Sequence, residues 1–141
     1  MLAIATLLAL AASPPVRAAS PVLHASATCA PAAKPGRIRC RAVLELPLDR
    51  VAATRIAWAE LRVVGGHASV TPLRGRLGVF DAETREDSRV VWSFSVAASA
   101  TGEYPMDVRM LATLEPKNGP QASLESTDQR LTVSVRVAAD K

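Results

Sequence analysis

Hydrophobic and polar residues alternate with a period of two over most of the chain from residue 37 onward. Successive side chains of a β-strand point to opposite faces, so this period is typical of strands with one buried face. The clearest runs are Ile38 to Leu46, Val90 to Val96, Tyr104 to Leu114 and Leu131 to Val137. Only the segment 49–55 is expected to form a helical turn, so the pattern favours an all-β fold.

The middle of the chain adds less regular strands. Residues 55–64 are apolar on both faces, which is typical of a central strand. Gly65-Gly66 predicts a hairpin that returns along His67 to Leu73, and a short strand is expected around Arg76 to Phe80. The polar segment 81–88 is expected to be a loop.

These signals together predict seven or eight strands in about 100 residues, with a dense turn signal at Pro116 to Pro120. Short strands at such spacing, without helices, favour an antiparallel β-sandwich over residues 37–138. Trp58 and Trp92 are expected in its core, because large aromatic side chains on alternating strands are usually buried.

The segment Ala100-Thr101-Gly102-Glu103-Tyr104 precedes the longest alternating strand. It resembles the G-x-Y start of the penultimate strand in immunoglobulin-like and fibronectin-III-like modules of bacterial secreted proteins. The resemblance covers residues 88–138 and implies that the Tyr104 hydroxyl bonds back to the corner backbone. Ala100 stands where the family usually has Asp. Both cysteines lie near the N-terminus, so an antibody-type bridge between the sheets is excluded.

Residues Leu2 to Ala12 form an uncharged apolar run of eleven. A membrane-spanning helix needs roughly 20 such residues, whereas a signal-peptide core needs fewer. Val16-Arg17-Ala18 then offers small residues for cleavage after Ala18. We therefore expect residues 1–18 to be a signal peptide, and the mature protein to be periplasmic or extracellular. An apolar N-terminal strand and an uncleaved anchor are the alternatives, since Met1-Leu2 carries no basic side chain. No later stretch is long and apolar enough to cross a membrane.

Cys29 and Cys40 enclose ten residues. In an exported protein, two cysteines so placed most simply form one disulfide. This bond would attach the N-terminal segment 19–36, expected to be irregular, to the first strand of the sandwich. Redox use is less consistent with the spacing, because a reactive pair is usually Cys-x-x-Cys. Metal binding by the two thiols, or two free thiols, would also be compatible with the sequence.

The chain has 141 residues, of which 49% are hydrophobic, 21% charged and 4% aromatic. This composition suits one folded domain and excludes a disordered polar chain. Cleavage after Ala18 would remove one charged side chain, Arg17, and lower the net charge from +4 to +3.

Arginine supplies every basic side chain except Lys34, Lys117 and Lys141. Two short arginine ladders stand out: Arg37, Arg39 and Arg41 on one strand, and Arg74 and Arg76 further along. The guanidinium fork binds phosphate or carboxylate groups through two hydrogen bonds, so both ladders are candidate sites for an anionic partner. The alternative is a solvated face that protects an edge strand from pairing.

Catalytic patterns are missing. The chain has no G-x-S-x-G nucleophile elbow and no H-E-x-x-H zinc motif, so neither an enzyme nor a bound cofactor is expected. His67, Met106 and Met110 are the weak candidates for a metal site, because thioethers suit Cu(I) and the two methionines share one strand face. That face also carries core residues, so gap filling competes with metal binding.

The sequence therefore predicts an exported, non-enzymatic module that binds an envelope protein or an anionic surface component. Nucleic acid is not expected as a partner, because aromatic residues are scarce and acidic residues nearly balance the basic ones. The alternative is a periplasmic carrier of a small ligand or of copper.

Overall fold

The computed structural model describes residues 16–19, 23–118 and 124–138. Residues 1–15 lie outside the described residues, and the predicted signal peptide with them except for its last three positions. The described residues form ten strands, which in chain order are β1 (Val16–Ala19), β2 (His24–Cys29), β3 (Gly36–Glu45), β4 (Thr54–Gly65), β5 (Val70–Pro72), β6 (Arg76–Gly78), β7 (Thr84–Arg85), β8 (Arg89–Ala98), β9 (Gly102–Pro116) and β10 (Glu125–Val137). A 3-10 turn, Val79–Asp81, follows β6. In the described part of the chain, no helix is long and apolar enough to span a membrane.

The strands form two antiparallel sheets that pack against each other, so the predicted all-β sandwich is confirmed, with ten strands among the described residues where seven or eight were predicted. Sheet A has the order β1-β2-β3-β8-β5, with β7 also pairing to β8, and sheet B has the order β10-β9-β4-β6. The order β2-β3-β8-β7 is similar to the A-B-E-D sheet, and the order β10-β9-β4 to the G-F-C sheet, of immunoglobulin-like sandwiches.

The core is built from alternate residues of the long strands. On β3 the buried side chains include Ile38, Ala42 and Leu44, and on β9 every second residue from Met106 to Leu114 is buried. Full burial of such a side chain contributes about 1.5–3 kcal/mol. Trp92 is the largest fully buried side chain among the described residues, and its indole N–H donates to the Gly78 carbonyl oxygen at 3.0 Å. The period-two prediction holds for these strands.

Trp58 was expected in the core, and this prediction is wrong: the side chain is 42% exposed. A register shift between Ile56 and Trp58 places one extra residue, Ala57, in β4 opposite β9. Such a bulge moves the following side chains to the other face. Ala59, Leu61 and Val63 therefore face the core, and Trp58 faces outward.

The hairpin predicted at Gly65-Gly66 is also wrong. The return strand β5 pairs with β8 of sheet A, and it is β6 that pairs with β4. Both glycines have positive φ, and a Cβ at Gly66 would lie 3.1 Å from the Pro105 carbonyl oxygen. The glycines therefore let the chain cross closely over β9 from one sheet to the other.

The segment 19–36 is not irregular throughout, because β2 occupies His24–Cys29 with alternate burial of Ala25, Ala27 and Cys29. Its side chains are small, so the alternation carries little hydrophobic contrast in the sequence. Cys29 lies directly opposite Cys40 of β3, and the two sulfurs are 2.06 Å apart, which places them at disulfide-bonding distance.

The hydrogen bond implied by the immunoglobulin-like resemblance is present: the Tyr104 hydroxyl donates to the Thr101 carbonyl oxygen. Gly102 between them has φ of +135°, and a Cβ at this position would lie 2.9 Å from the Tyr104 hydroxyl oxygen. The tyrosine corner therefore requires glycine at position 102.

Replacing Tyr104 with Phe is expected to lower the free energy of unfolding by about 1 kcal/mol, the net contribution of one hydrogen bond. Gly102→Ala is expected to cost more, because it adds backbone strain to the steric conflict. Urea denaturation of the two variants measures both effects. Equal midpoints for Y104F and the wild type would show that the corner bond contributes nothing.

Breaking the Cys29–Cys40 bond is expected to lower the free energy of unfolding by about 3 kcal/mol, since the chain-entropy account gives this value for a loop of about 12 residues. Thermal unfolding with and without dithiothreitol measures the effect on the wild type. C29A/C40A is the control, and its midpoint should not respond to the reductant. A wild-type midpoint that is equally insensitive would mean that the bond does not stabilise the fold.

Candidate anion-binding face

Arg37, Arg39 and Arg41 lie on the outer face of sheet A, where all three are exposed. They alternate along β3 with the buried residues Ile38 and Cys40. Since β3 pairs on both sides, with β2 and β8, it is a central strand of sheet A. The three side chains are thus accessible from solvent, and we call these three residues the arginine ladder.

The arginine ladder is flanked by short side chains. On β8, Ala97 lies opposite Arg37, Ser95 opposite Arg39 and Ser93 opposite Arg41. Short neighbours leave the guanidinium groups accessible to a ligand, and Ser95 places a hydroxyl donor beside them. The Ser93 hydroxyl already donates to Glu83 at 2.6 Å.

Charge pairing distinguishes this face from most of the molecule: among the other arginines whose side chains the structure describes, only Arg85, which lies over the Phe80 ring, also lacks a carboxylate partner. Ten salt bridges join described residues, and each uses a different arginine. Arg37 and Arg39 belong to none of them. Arg41 reaches only Glu83, at 3.9 Å, with both side chains about half exposed. Two adjacent guanidinium groups are therefore left without a carboxylate among the described residues.

A shallow groove adjoins the unpaired end of the arginine ladder. Its volume is about 380 Å³, and it lies between the β2–β3 loop, residues 30–35, and the start of β3. Lys34, Arg37 and Arg39 all line it. Lys34 was not among the predicted site residues, because a single lysine in a Pro- and Ala-rich loop carries no pattern of its own.

Arg74 and Arg76 do not join this face. Arg74 pairs with Asp81 at 3.3 Å, and Arg76, on β6 of sheet B, pairs with Glu60 at 3.5 Å. The pKa of Asp81 is lowered because its carboxylate accepts from the Gly78 backbone N–H and from Arg74. The structure thus divides the five predicted arginines between two sheets, and only those on β3 form a shared surface.

The outer face of sheet B carries its own row of arginines, in register across four strands: Arg76, Arg62, Arg109 and Arg130. Glu60, only 8% exposed, pairs with Arg62 and Arg76. Asp128 accepts hydrogen bonds from Arg109 and lies 3.9 Å from Arg130. Each of the four arginines in this row therefore has a carboxylate partner, with two carboxylates shared among four guanidinium groups.

The metal candidates are not brought together. Met106 and Met110 are fully buried between the sheets. The exposed His67 packs against the Tyr104 ring, with centroids 4.7 Å apart, and its Nδ1 accepts from the Ser69 backbone N–H. No group of three or more His, Cys, Asp or Glu side chains in the described part of the chain is placed to hold a metal ion. The methionines thus fill the core.

Comparison with known proteins gives no relative for this chain: no protein-family model and no curated protein matches it.

The ion pair between Arg109 and Asp128 yields a pH-dependent prediction. The hydrogen bond from Arg109 lowers the pKa of Asp128 below its ordinary value of 3.8. A carboxylate with a depressed pKa stabilises the fold above its unfolded pKa, and this contribution is lost as the pH falls through the folded pKa. Asp128→Asn should therefore lower stability at pH 7 by less than about 1 kcal/mol, because the pair is partly exposed.

The difference in the free energy of unfolding between D128N and the wild type should shrink as the pH falls below about 3.8. Urea denaturation at pH 7 and at pH 3 measures it. Asp107→Asn is the control, because Asp107 accepts from the Thr132 hydroxyl and has no arginine partner among the described residues. If D128N were less stable than the wild type by the same amount at pH 3 as at pH 7, the stabilising role of the ion pair between Arg109 and Asp128 would be contradicted.

Proposed function

We propose that this protein is an exported, non-enzymatic β-sandwich module that binds an anionic component of the cell envelope through the arginine ladder. The observation that carries the proposal is the unpaired state of Arg37 and Arg39, on a molecule where ten other arginines have carboxylate partners. The ligand chemistry is phosphate or carboxylate, which the guanidinium fork binds through two parallel hydrogen bonds.

The arrangement of the cations suits a ligand with repeated negative charges. Alternate residues of a strand are roughly 6.6 Å apart, so Arg37, Arg39 and Arg41 present three forks in a row. Lys34 extends the positive charge into the neighbouring groove. Like charges at this spacing repel one another, and a polyanion would remove that repulsion.

Export is supported by two features of the chain. The apolar segment at residues 2–12 and the small residues before Ala19 have the pattern of a signal peptide. The pairing of Cys29 with Cys40 is compatible with an oxidising compartment. We place the mature protein in the periplasm or outside the cell.

The carrier alternative has no comparable support. Its candidate ligands are separated, because Met106 and Met110 are buried in the core while His67 lies outside it. A copper site would need these donors to converge on one point.

Substituting all three ladder residues with Gln is expected to weaken binding to anionic surfaces by about 100-fold. This estimate takes about 1 kcal/mol for each basic residue near an anionic surface. Sedimentation of the mature protein with phosphatidylglycerol vesicles and with an immobilised polyuronate measures the two anion classes separately. Wild-type binding should also weaken as salt is raised from 20 to 500 mM, roughly.

R74Q/R76Q/R130Q is the matched control, because it removes the same net charge from arginines that already have acidic partners. This variant should bind within about threefold of the wild type, since only general charge is lost. Equal weakening in both triple variants would show a non-specific charge effect. Unchanged binding in R37Q/R39Q/R41Q would contradict the proposal.

A further inference from the structure

The edge of sheet A is occupied by the short strand β1. Its four residues pair antiparallel with β2, from Val16 opposite Ala27 to Ala19 opposite His24. The same segment also lies against β10 of sheet B. β1 therefore fills a slot between the edges of the two sheets, which we call the β1 slot.

The predicted cleavage after Ala18 falls inside β1 and would remove three of its four residues. The register of β2 with its neighbours shows which of its backbone groups would lose their hydrogen-bonding partners. Ala30 N–H donates to the Arg39 carbonyl oxygen, so residues at even positions of β2 bond to β3. Hydrogen-bonded pairs alternate along an antiparallel strand, so Ala25 and Ala27 direct their N–H and C=O groups toward β1.

We propose that the mature protein binds an extended segment of a partner protein in the β1 slot, as a strand added to β2. The inference depends on the export and cleavage contained in the proposed function. In the precursor, the chain's own residues 16–19 occupy the slot and show that a single antiparallel strand fits it. An open edge with unpaired N–H and C=O groups is a template for such pairing.

The register also specifies the chemistry of the added strand. Its residues opposite Ala25 and Ala27 face the same side as these two side chains, which are 1% and 2% exposed. The chain itself has Ala18 and Val16 at those positions. The partner segment therefore needs small or β-branched apolar residues at alternate positions.

A second copy of the protein fits this site less well. β10 forms the opposite wall of the slot, and the bridge between Ala32 and Val137 joins the two sheets nearby. Pairing between two β2 edges would have to bring a complete sandwich against this wall. A single extended segment meets no such obstacle.

The test uses the mature protein purified from the exporting cell, with its N-terminus determined by mass spectrometry. The probe is a capped synthetic peptide with the sequence of residues 14–18, PPVRA, which are the residues that cleavage removes next to the retained Ala19. Hydrogen exchange at Ala25 and Ala27 should slow at least tenfold when the peptide is added, and the melting temperature should rise.

Two N-methylated peptides provide a matched pair of controls. Methyl groups on the nitrogens of Val16 and Ala18 remove the donors that face β2, and this peptide should not bind. A methyl group on the nitrogen of Arg17 leaves those donors intact, and this peptide should bind nearly as well as the unmodified one. Similar behaviour of the two methylated peptides would overturn the proposal.

Three further outcomes would also overturn it. A mature N-terminus at or before Val16 would show that β1 is retained. An unprocessed protein inside the cell would overturn both the inference and the export part of the proposed function. A mature dimer with Ala25 and Ala27 already protected would assign the edge to a second copy. If the protein is processed normally but does not bind the peptide, this inference alone is refuted. If the peptide binds and R37Q/R39Q/R41Q still binds the envelope component as the wild type does, only the role of the arginine ladder is refuted.

Discussion

The burial of alternate side chains on β3 is the constraint on which the rest of sheet A depends. Ile38, Cys40 and Ala42 face the core, and each is at most 2% exposed. A slip of one residue would move Arg39 and Arg41 into the interior, where unpaired charges cost several kcal/mol each. The register of β3 with its two neighbours therefore fixes the arginine ladder on the outside. The same register places Cys40 opposite Cys29.

The two sheets handle their positive charge differently. On sheet B, the arginines of four adjacent strands share the carboxylates of Glu60 and Asp128, so each of the four guanidinium groups has an acidic partner. On sheet A, the residues beside Arg37 and Arg39 are Ala97 and Ser95, which bring no charge. Composition does not explain this difference, because both sheets are rich in arginine. The positions of the acidic residues explain it.

The features that could be predicted from the sequence are local ones. Period-two burial on β3, β8, β9 and β10 follows from each strand's own residues, and the tyrosine corner is contained within five consecutive positions. The predictions that were wrong depended on how a strand pairs with residues distant in the sequence. Trp58 became exposed through a bulge opposite β9, and the strand after Gly66 paired with β8, about 25 residues ahead in sequence.

In the candidate site, too, local features were predictable and contacts between distant parts of the chain were not. The exposure of Arg37, Arg39 and Arg41 was predictable from alternation alone. The ion pairs of Arg74 and Arg76 were not predictable in this way. Asp81 approaches Arg74 only through the turn after β6, and Glu60 approaches Arg76 only through the pairing of β4 with β6. β2 was missed for a different reason: its two alanines differ little in hydrophobicity from Ser26 and Thr28, although burial separates them clearly.

The disulfide has a further consequence for the edge of sheet A. β2 has only six residues, and in a chain cleaved after Ala18 its ladder with β3 would be its only strand pairing among the described residues. A short edge strand held on one side is prone to local opening. The bond between Cys29 and Cys40 joins the last residue of β2 covalently to the centre of β3, so opening could proceed only from the His24 end. The edge would thus stay in position while its outer hydrogen-bonding groups are free, which is the condition that strand addition requires.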